Sequence, residues 1–156
     1  MTAVPEAHQT TFKLGVVAVN GGSTDERIVK VACDMARPVK ASLLAVHVVE
    51  IDWTLPLDSD VAGRSEDAQR ILDRAEAIAE QERVPMETIL FQARDVGAAI
   101  VDEASERGAD LLILGLPYRK RFGGDFAIGR VVPYAFKNAP CAVMVIREPI
   151  PEERSA

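Results

Sequence analysis

Five short apolar runs alternate with four stretches of helical periodicity, and that alternation leaves few folds open. Phe12 to Val19 (FKLGVVAV) ends in Asn20-Gly21-Gly22-Ser23, a strand followed by a turn. Asp25 to Arg37 then puts Ile28, Val31, Ala32, Met35 and Ala36 on one helical face, with Pro38 just past the expected end. Ala41 to Val49 (ASLLAVHVV) is too rich in Val and Leu for a half-exposed strand and reads as buried on both faces, as in a parallel sheet. Glu50 to Arg64 holds Pro56, Gly63 and three Asp, and reads as a loop. Ser65 is the expected cap of a long second helix, with Glu66 and Asp67 in the first turn and Ala68, Ile71, Leu72, Ala75, Ile78 and Ala79 inward. Pro85 to Phe91 is a third strand. Asp95 to Arg107 is a third helix with Val96, Ala99, Ile100 and Ala104 inward and Gly108 as its left-handed stop. Asp110 to Leu114 (DLLIL), the helix Arg130 to Asn138 and the strand Cys141 to Arg147 complete the series. Strands alternating with helices in this way predict an α/β three-layer sandwich, a right-handed parallel sheet covered on both faces.

Composition agrees with such a domain. A chain of 156 residues can bury about 68–70% of its unfolded surface. Its 48% hydrophobic content excludes a disordered chain, and a net charge of -6 argues against general nucleic-acid binding. No apolar run approaches the roughly 20 residues of a membrane span. Met1 to Thr11 has neither the basic nor the apolar region of a signal peptide, so a cytoplasmic location is expected. Cys33 and Cys141 lie far apart and fit no metal or redox motif, and are expected to be reduced, buried thiols.

Ligands of open α/β sheets bind outside the carboxyl ends of the strands. Three segments reach that rim: Asn20 to Thr24, the loop after the second strand, and Gly115 to Gly129 with the helix behind it. Gly123, Gly124 and Gly129 permit positive φ and close approach of backbone to a ligand. Gly129 leads into a helix whose free N–H groups would face an anion. Arg119, Lys120, Arg121 and Arg130 add four positive charges to an acidic protein, so a phosphate group is the expected ligand, with a solvated basic loop as the alternative. The GxxxxGK[ST] and GxGxxG fingerprints are absent, as are HExxH and GxSxG. His8 lies in the N-terminal extension, and His47, inside the second apolar run, reads as a packed, hydrogen-bonded core residue. Asp67, Asp73, Glu76 and Glu80 lie off the apolar stripe of their helix, on a solvated face. No catalytic residue and no metal ligand is assigned.

Two families share features with this pattern. Asn20-Gly21-Gly22-Ser23-Thr24-Asp25 resembles the SGGxDS loop of ATP pyrophosphatases, but its Asp is one position late and its leading Ser is Asn. Helix capping by Ser23, Thr24 or Asp25 accounts for the same residues. A fuller similarity, over about residues 12–147, is to the universal stress protein family. It rests on Asp110-Leu111-Leu112-Ile113-Leu114-Gly115 and on the stretch from Gly129 through Asn138-Ala139-Pro140-Cys141-Ala142-Val143-Met144-Val145-Ile146, which resemble the family's DLLVLG…GSVSxxVLxxAPCPVLVV ending. Val16 to Gly21, Val46 to Val49 and the Ala-rich second helix also fit.

The resemblance implies a Rossmann-like, adenine nucleotide alpha hydrolase-like sheet of strand order 3-2-1-4-5, a domain over 12–147 between mobile segments 1–11 and 148–156, a homodimer, and a cytosolic stress-linked role. Nucleotide-binding members resemble G-x2-G-x9-G-[ST] after the fourth strand. Here Gly115 is present, Tyr118 stands at the second Gly, Ile128 at the third, Gly129 follows one residue late, and Arg130 replaces the Ser or Thr. Asn20 replaces the Asp that ends the first strand in binders. By resemblance, the site comprises Ala18, Val19, Asn20, Val48, Gly115, Gly129, Arg130 and Val131. Its expected ligand is ATP, with Mg2+, or AMP or another small anion, without catalysis and with no obligatory cofactor. The alternatives are a dimeric interaction module that contacts a partner protein through its loops and, further off, an ATP pyrophosphatase. The family order places apolar Cys141 to Ile146 at a sheet edge, where a two-fold partner strand would cover it.

Overall fold

The computed structural model describes residues 12–58, 64–118 and 128–151. Within them run β1 (Leu14–Ala18), α1 (Asp25–Val39), β2 (Ser42–Glu50), α2 (Arg64–Gln81), β3 (Met86–Ala93), α3 (Val96–Glu106), β4 (Leu111–Leu116), α4 (Val131–Asn138) and β5 (Ala142–Arg147). Every strand pair is parallel and the sheet order is β3-β2-β1-β4-β5. The chain therefore winds outward from β1 to β3, then returns to the other side of β1. The carboxyl ends of β1 and β4 diverge into different connections, and that divergence opens a crevice.

Side chains alternate across the sheet. Val17, Leu43, Ala45 and Ile113 pack against Ile28, Val29, Ala32 and Cys33 of α1 and Leu72 and Ala75 of α2. Val16, Leu44, Val46 and Leu112 pack against Ile100, Val101 and Ala104 of α3 and Val132 and Ala135 of α4. β2 is buried from Leu43 to Val49, which is why its sequence shows no polar alternation. Each fully buried Leu, Ile or Val contributes about 1.5–3 kcal/mol.

Several local expectations are corrected. α1 runs through Pro38 to Val39 and stops at Lys40, which takes the left-handed conformation at φ 55°. Proline in the last turn forfeits one hydrogen bond only, and the exposed ring finds room there. Val29 and Cys33 take buried places on α1, whereas Val31 and Met35 are half-buried, because the residues carry two overlapping i, i+4 stripes and the sheet uses the neighbouring one. On α2, Ile71 is half-buried and Ser65 lies inside the first turn, since the helix already begins at Arg64. On α3, Val101 is buried while Val96 and Ala99 are half-buried, because this helix also packs against α4. Cys33 is buried as expected, but Cys141 is only half-buried because it precedes an edge strand. Gly115 and Leu116 extend β4 and pair with Ile146 and Arg147, where a loop was expected.

Candidate functional site

The turn after β1 shapes the rim. Asp25, the first residue of α1, does not cap its own helix. Its carboxylate reaches back and accepts from the backbone N–H of Asn20 at 3.1 Å and of Gly21 at 2.7 Å. Burial raises its pKa above the ordinary aspartate value, against the opposing pull of those two donors. Thr24 occupies the cap position without a side-chain cap bond, and Ser23 donates instead to Glu148. The expected capping role of these three residues is thus replaced by bonds that fasten the turn to itself and to the segment after β5. Asn20 adds a further tie, its Oδ1 accepting from Gly22 N–H at 2.7 Å. That bond fixes the amide, so Nδ2 is the group left to donate outward.

Gly115 lies across the crevice. A Cβ there would stand 2.4 Å from Thr24 Oγ1 and 2.9 Å from Thr24 Cβ. Its lack of a side chain therefore serves the packing of α1 against β4. Gly129 has φ +76°, and no atom of the described residues lies within 4 Å of where its Cβ would stand, so its freedom is conformational. It turns the chain into α4, where Arg130 is the cap residue and makes no side-chain cap bond. A helix start of this kind leaves first-turn N–H groups for other acceptors, and its dipole favours an anion.

Between these parts lies a cleft of about 330 Å³. Ala18, Val19, Asn20, Val48, Gly115, Gly129, Arg130 and Val131 all line it, together with His47, Val96, Ile100, Leu116 and Ile128. Arg130 and Ile128 stand at the exposed lip. The Gly63, Arg119, Lys120, Arg121, Gly123 and Gly124 singled out from the sequence, with segments 1–11 and 152–156, lie outside the described residues.

A second recess of about 500 Å³ shares Asn20, His47 and Val48 with the cleft and extends toward α2. Glu50, Asp52, Trp53, Arg64 and Asp67 edge it. Arg64 donates to the carbonyl of Glu50 at 2.8 Å, and Arg94 donates to that of Asp52 at 2.8 Å while lying 5.1 Å from the centre of the Trp53 ring. Hydrogen bonds from Thr54 hold the Asp52 carboxyl below its usual pKa, so it stays ionised.

Three participants were not found from the sequence. Trp53 is 78% exposed beside the second recess, and only an isolated aromatic in a loop signalled it. Glu148 accepts from Tyr118 N–H at 3.2 Å as well as from Ser23, so its carboxylate already uses one backbone donor at the end of β4. Nothing in a tail rich in proline and charge marks that residue. His47 was read as a core residue, and its Nδ1 does lie 2.8 Å from the carbonyl of Val19, yet the ring also borders both recesses.

Among the described residues no group of three or more His, Cys, Asp or Glu is placed to hold a metal ion. No helix among them is long and apolar enough to cross a membrane.

Comparison with known proteins places this geometry. The model of the universal stress protein family matches residues 12–147. A universal stress protein of Methanocaldococcus jannaschii is 23% identical over 147 residues, covering 90% of this chain and 85% of its own. A solved universal stress protein of Archaeoglobus fulgidus superposes with a TM-score of 0.71 at 24% identity, over 85% of this chain and 97% of its own. An Archaeoglobus fulgidus universal stress protein in complex with dAMP gives 0.69 at 21% identity, over 86% and 98%. A family protein of Arabidopsis thaliana with AMP bound gives 0.62 at 18%, over 88% and 92%. With the family match running from two residues before β1 to the last residue of β5, the chain belongs to the universal stress protein family.

Proposed function

We propose that this chain is a non-catalytic, cytoplasmic binding module that holds an adenine nucleotide, AMP or ATP, in the cleft between the ends of β1 and β4 and the start of α4. One observation carries the proposal: the eight residues named from the sequence line a single open cleft onto which the uncapped first turn of α4 faces. Support comes also from structural neighbours solved with dAMP, cAMP and AMP. Arg130 supplies a charge contact to phosphate where other members offer a hydroxyl, and Asn20 offers its Nδ2 donors. The described lining of the cleft holds no carboxylate, and Mg2+ would be carried there on the triphosphate. Equilibrium titration with a fluorescent ATP analogue tests the proposal. Saturable micromolar binding, competed by AMP, is expected; no binding at millimolar ATP sinks it.

A second, compatible proposal is a homodimer through β5. That strand pairs only with β4 among the described residues, and its Val143, Met144, Val145 and Ile146 are half-buried apolar side chains at a sheet edge. Such an edge is an aggregation hazard unless a partner covers it. Light scattering at micromolar concentration should give twice the chain mass, and the mass of one chain would remove the dimer.

A further inference from the structure

We infer that Asp25 is a positioning residue of the nucleotide site: its ionised carboxylate holds the peptide that carries Asn20 into the cleft, and affinity for the nucleotide depends on that hold. This rests on the nucleotide proposal and names what keeps one wall of the site in shape. Asp25 is 8% exposed and does not itself line the cleft. Val19 and Asn20 do. Strand pairing carries the chain as far as Val19, whose N–H donates to the Val46 carbonyl at 3.0 Å. From there on side chains hold the backbone. His47 Nδ1 lies 2.8 Å from the Val19 carbonyl, and a carbonyl can only accept, so Nδ1 donates. Asp25 Oδ1 accepts from the N–H of Asn20 at 3.1 Å, and Oδ2 from that of Gly21 at 2.7 Å. The single peptide between Val19 and Asn20 is thus gripped at its carbonyl by β2 and at its N–H by α1.

The two grips respond differently to acid. A carboxylate offers acceptors only, which two N–H donors match. Once it is protonated, or replaced by an amide, one of its two positions becomes a donor set against a donor. Burial raises the Asp25 pKa in spite of the two bonds, so this change begins at a pH where exposed aspartates are still ionised. The charged and titratable groups that face it are His47 of β2 and Asp67, Arg70 and Arg74 of α2. Arg70 is paired with Asp67, and Arg74 lies 3.4 Å from Glu26, so both arginines are shared with other carboxylates. Positive charge on His47 or Arg74 favours the ionised Asp25 and opposes the effect of burial. His47 donates from Nδ1 whether or not its ring is charged. Acid therefore releases the Asp25 side of the peptide and leaves the His47 side in place.

Calorimetric titration of the full chain with AMP, wild type against Asp25→Asn, tests this between about pH 7.5 and 4.5. At the upper end the variant should bind about tenfold more weakly, because a charge-assisted bond is lost and a donor opposes a donor. The ratio of the two affinities should shrink toward one as pH falls, since wild type comes to resemble the variant. The AMP phosphate and His47 are common to both proteins and drop out of that ratio. In isotope-labelled wild type without ligand, the amide resonances of Asn20 and Gly21 should shift together on acidification, with a midpoint above the ordinary aspartate value. That shift should vanish in Asp25→Asn. Equal affinities at the upper end, a ratio that ignores pH, or amides that do not titrate each overturn the positioning role and leave the nucleotide proposal standing. Wild type that binds no AMP at millimolar concentration overturns the nucleotide proposal, and the positioning role with it. Should Asp25→Asn fail to fold, wild type alone decides: AMP affinity should fall at the pH where the two amides shift, and affinity that passes through that pH unchanged overturns the inference.

Discussion

The two recesses that meet at Asn20 share a wall and differ in charge. Toward α4, the cleft offers Arg130, the start of a helix and the apolar surfaces of Ala18, Val48, Leu116 and Val131. Toward α2, the recess is edged by Glu50, Asp52 and Asp67, and its arginine, Arg64, is engaged with the carbonyl of Glu50. Both open at the carboxyl ends of the strands, where topology alone would allow a ligand in either. The difference teaches that strand order makes the opening and local charge divides it. A phosphate is favoured on the α4 side and opposed by carboxylates on the α2 side. Donor groups such as amines and hydroxyls suit the α2 side, where Trp53 also stands exposed.

The strongest way to break this comparison is to spoil the wall itself. Gly115 lets α1 approach β4, and a methyl group there would overlap the buried Thr24 side chain and touch Ile28 Cγ2 at 3.3 Å. Thr24 cannot retreat without moving the turn that Asp25 fastens. Gly115→Ala should therefore cost about 1–3 kcal/mol, the usual toll of overpacking. For a chain of this size that lowers the melting temperature by roughly 3–10 °C. Nucleotide binding should weaken as well, because Gly115 lines the cleft. A melting curve superimposable on wild type would show that the α1 start is soft, and the cleft could then not be treated as preformed.

How much of this was legible beforehand depends on what each feature rests on. The parallel sheet follows from alternation of strands and helices, and parallel strands bring all their carboxyl ends to one rim; the strand order and the grouping of Ala18, Asn20, Val48, Gly115 and Gly129 were legible only through the family resemblance. Gly129 was legible for its conformation, since a positive φ before a helix is a local demand. Gly115 was legible only as a residue worth naming. Its reason is Thr24, 91 positions earlier in sequence and adjacent only once β1 and β4 are paired. Asp25 was misassigned for the opposite reason. Three capping residues in a row satisfy the local rule equally, and the fold chose a bond back to the turn over a bond forward into the helix. Glu148 and the second face of His47 needed tertiary distances that no periodicity encodes.

A sharper division comes from reversing single charges on the two sides. Arg130→Glu places a carboxylate at the lip of the cleft beside the proposed phosphate. It should weaken binding of the fluorescent ATP analogue by about tenfold, near 1.4 kcal/mol, with AMP losing less because it carries less charge. The loss should shrink as salt is raised, since Arg130 is exposed and its field is screened beyond about 8 Å at physiological ionic strength. A loss that ignores salt would mean the substitution had disturbed α4 and not the field.

The smallest effect is expected on the other side, and its smallness is informative. Asp67 is an exposed residue in the first turn of α2, paired with Arg70 one turn on, and it edges the second recess. Asp67→Lys reverses a charge as Arg130→Glu does, and releases a pair worth at most about 1 kcal/mol to the fold. With phosphate in the α4 cleft, the new ammonium lies beyond the shared wall of Asn20, His47 and Val48 and acts mainly through solvent. Affinity for the ATP analogue should then rise by less than about twofold at 0.15 M salt. A tenfold gain would put the phosphates in the α2 recess and exchange the roles of the two halves. The same pair of variants in one titration series therefore decides which way round the nucleotide lies, because the two charge reversals have opposite sign and only the nearer one can be large.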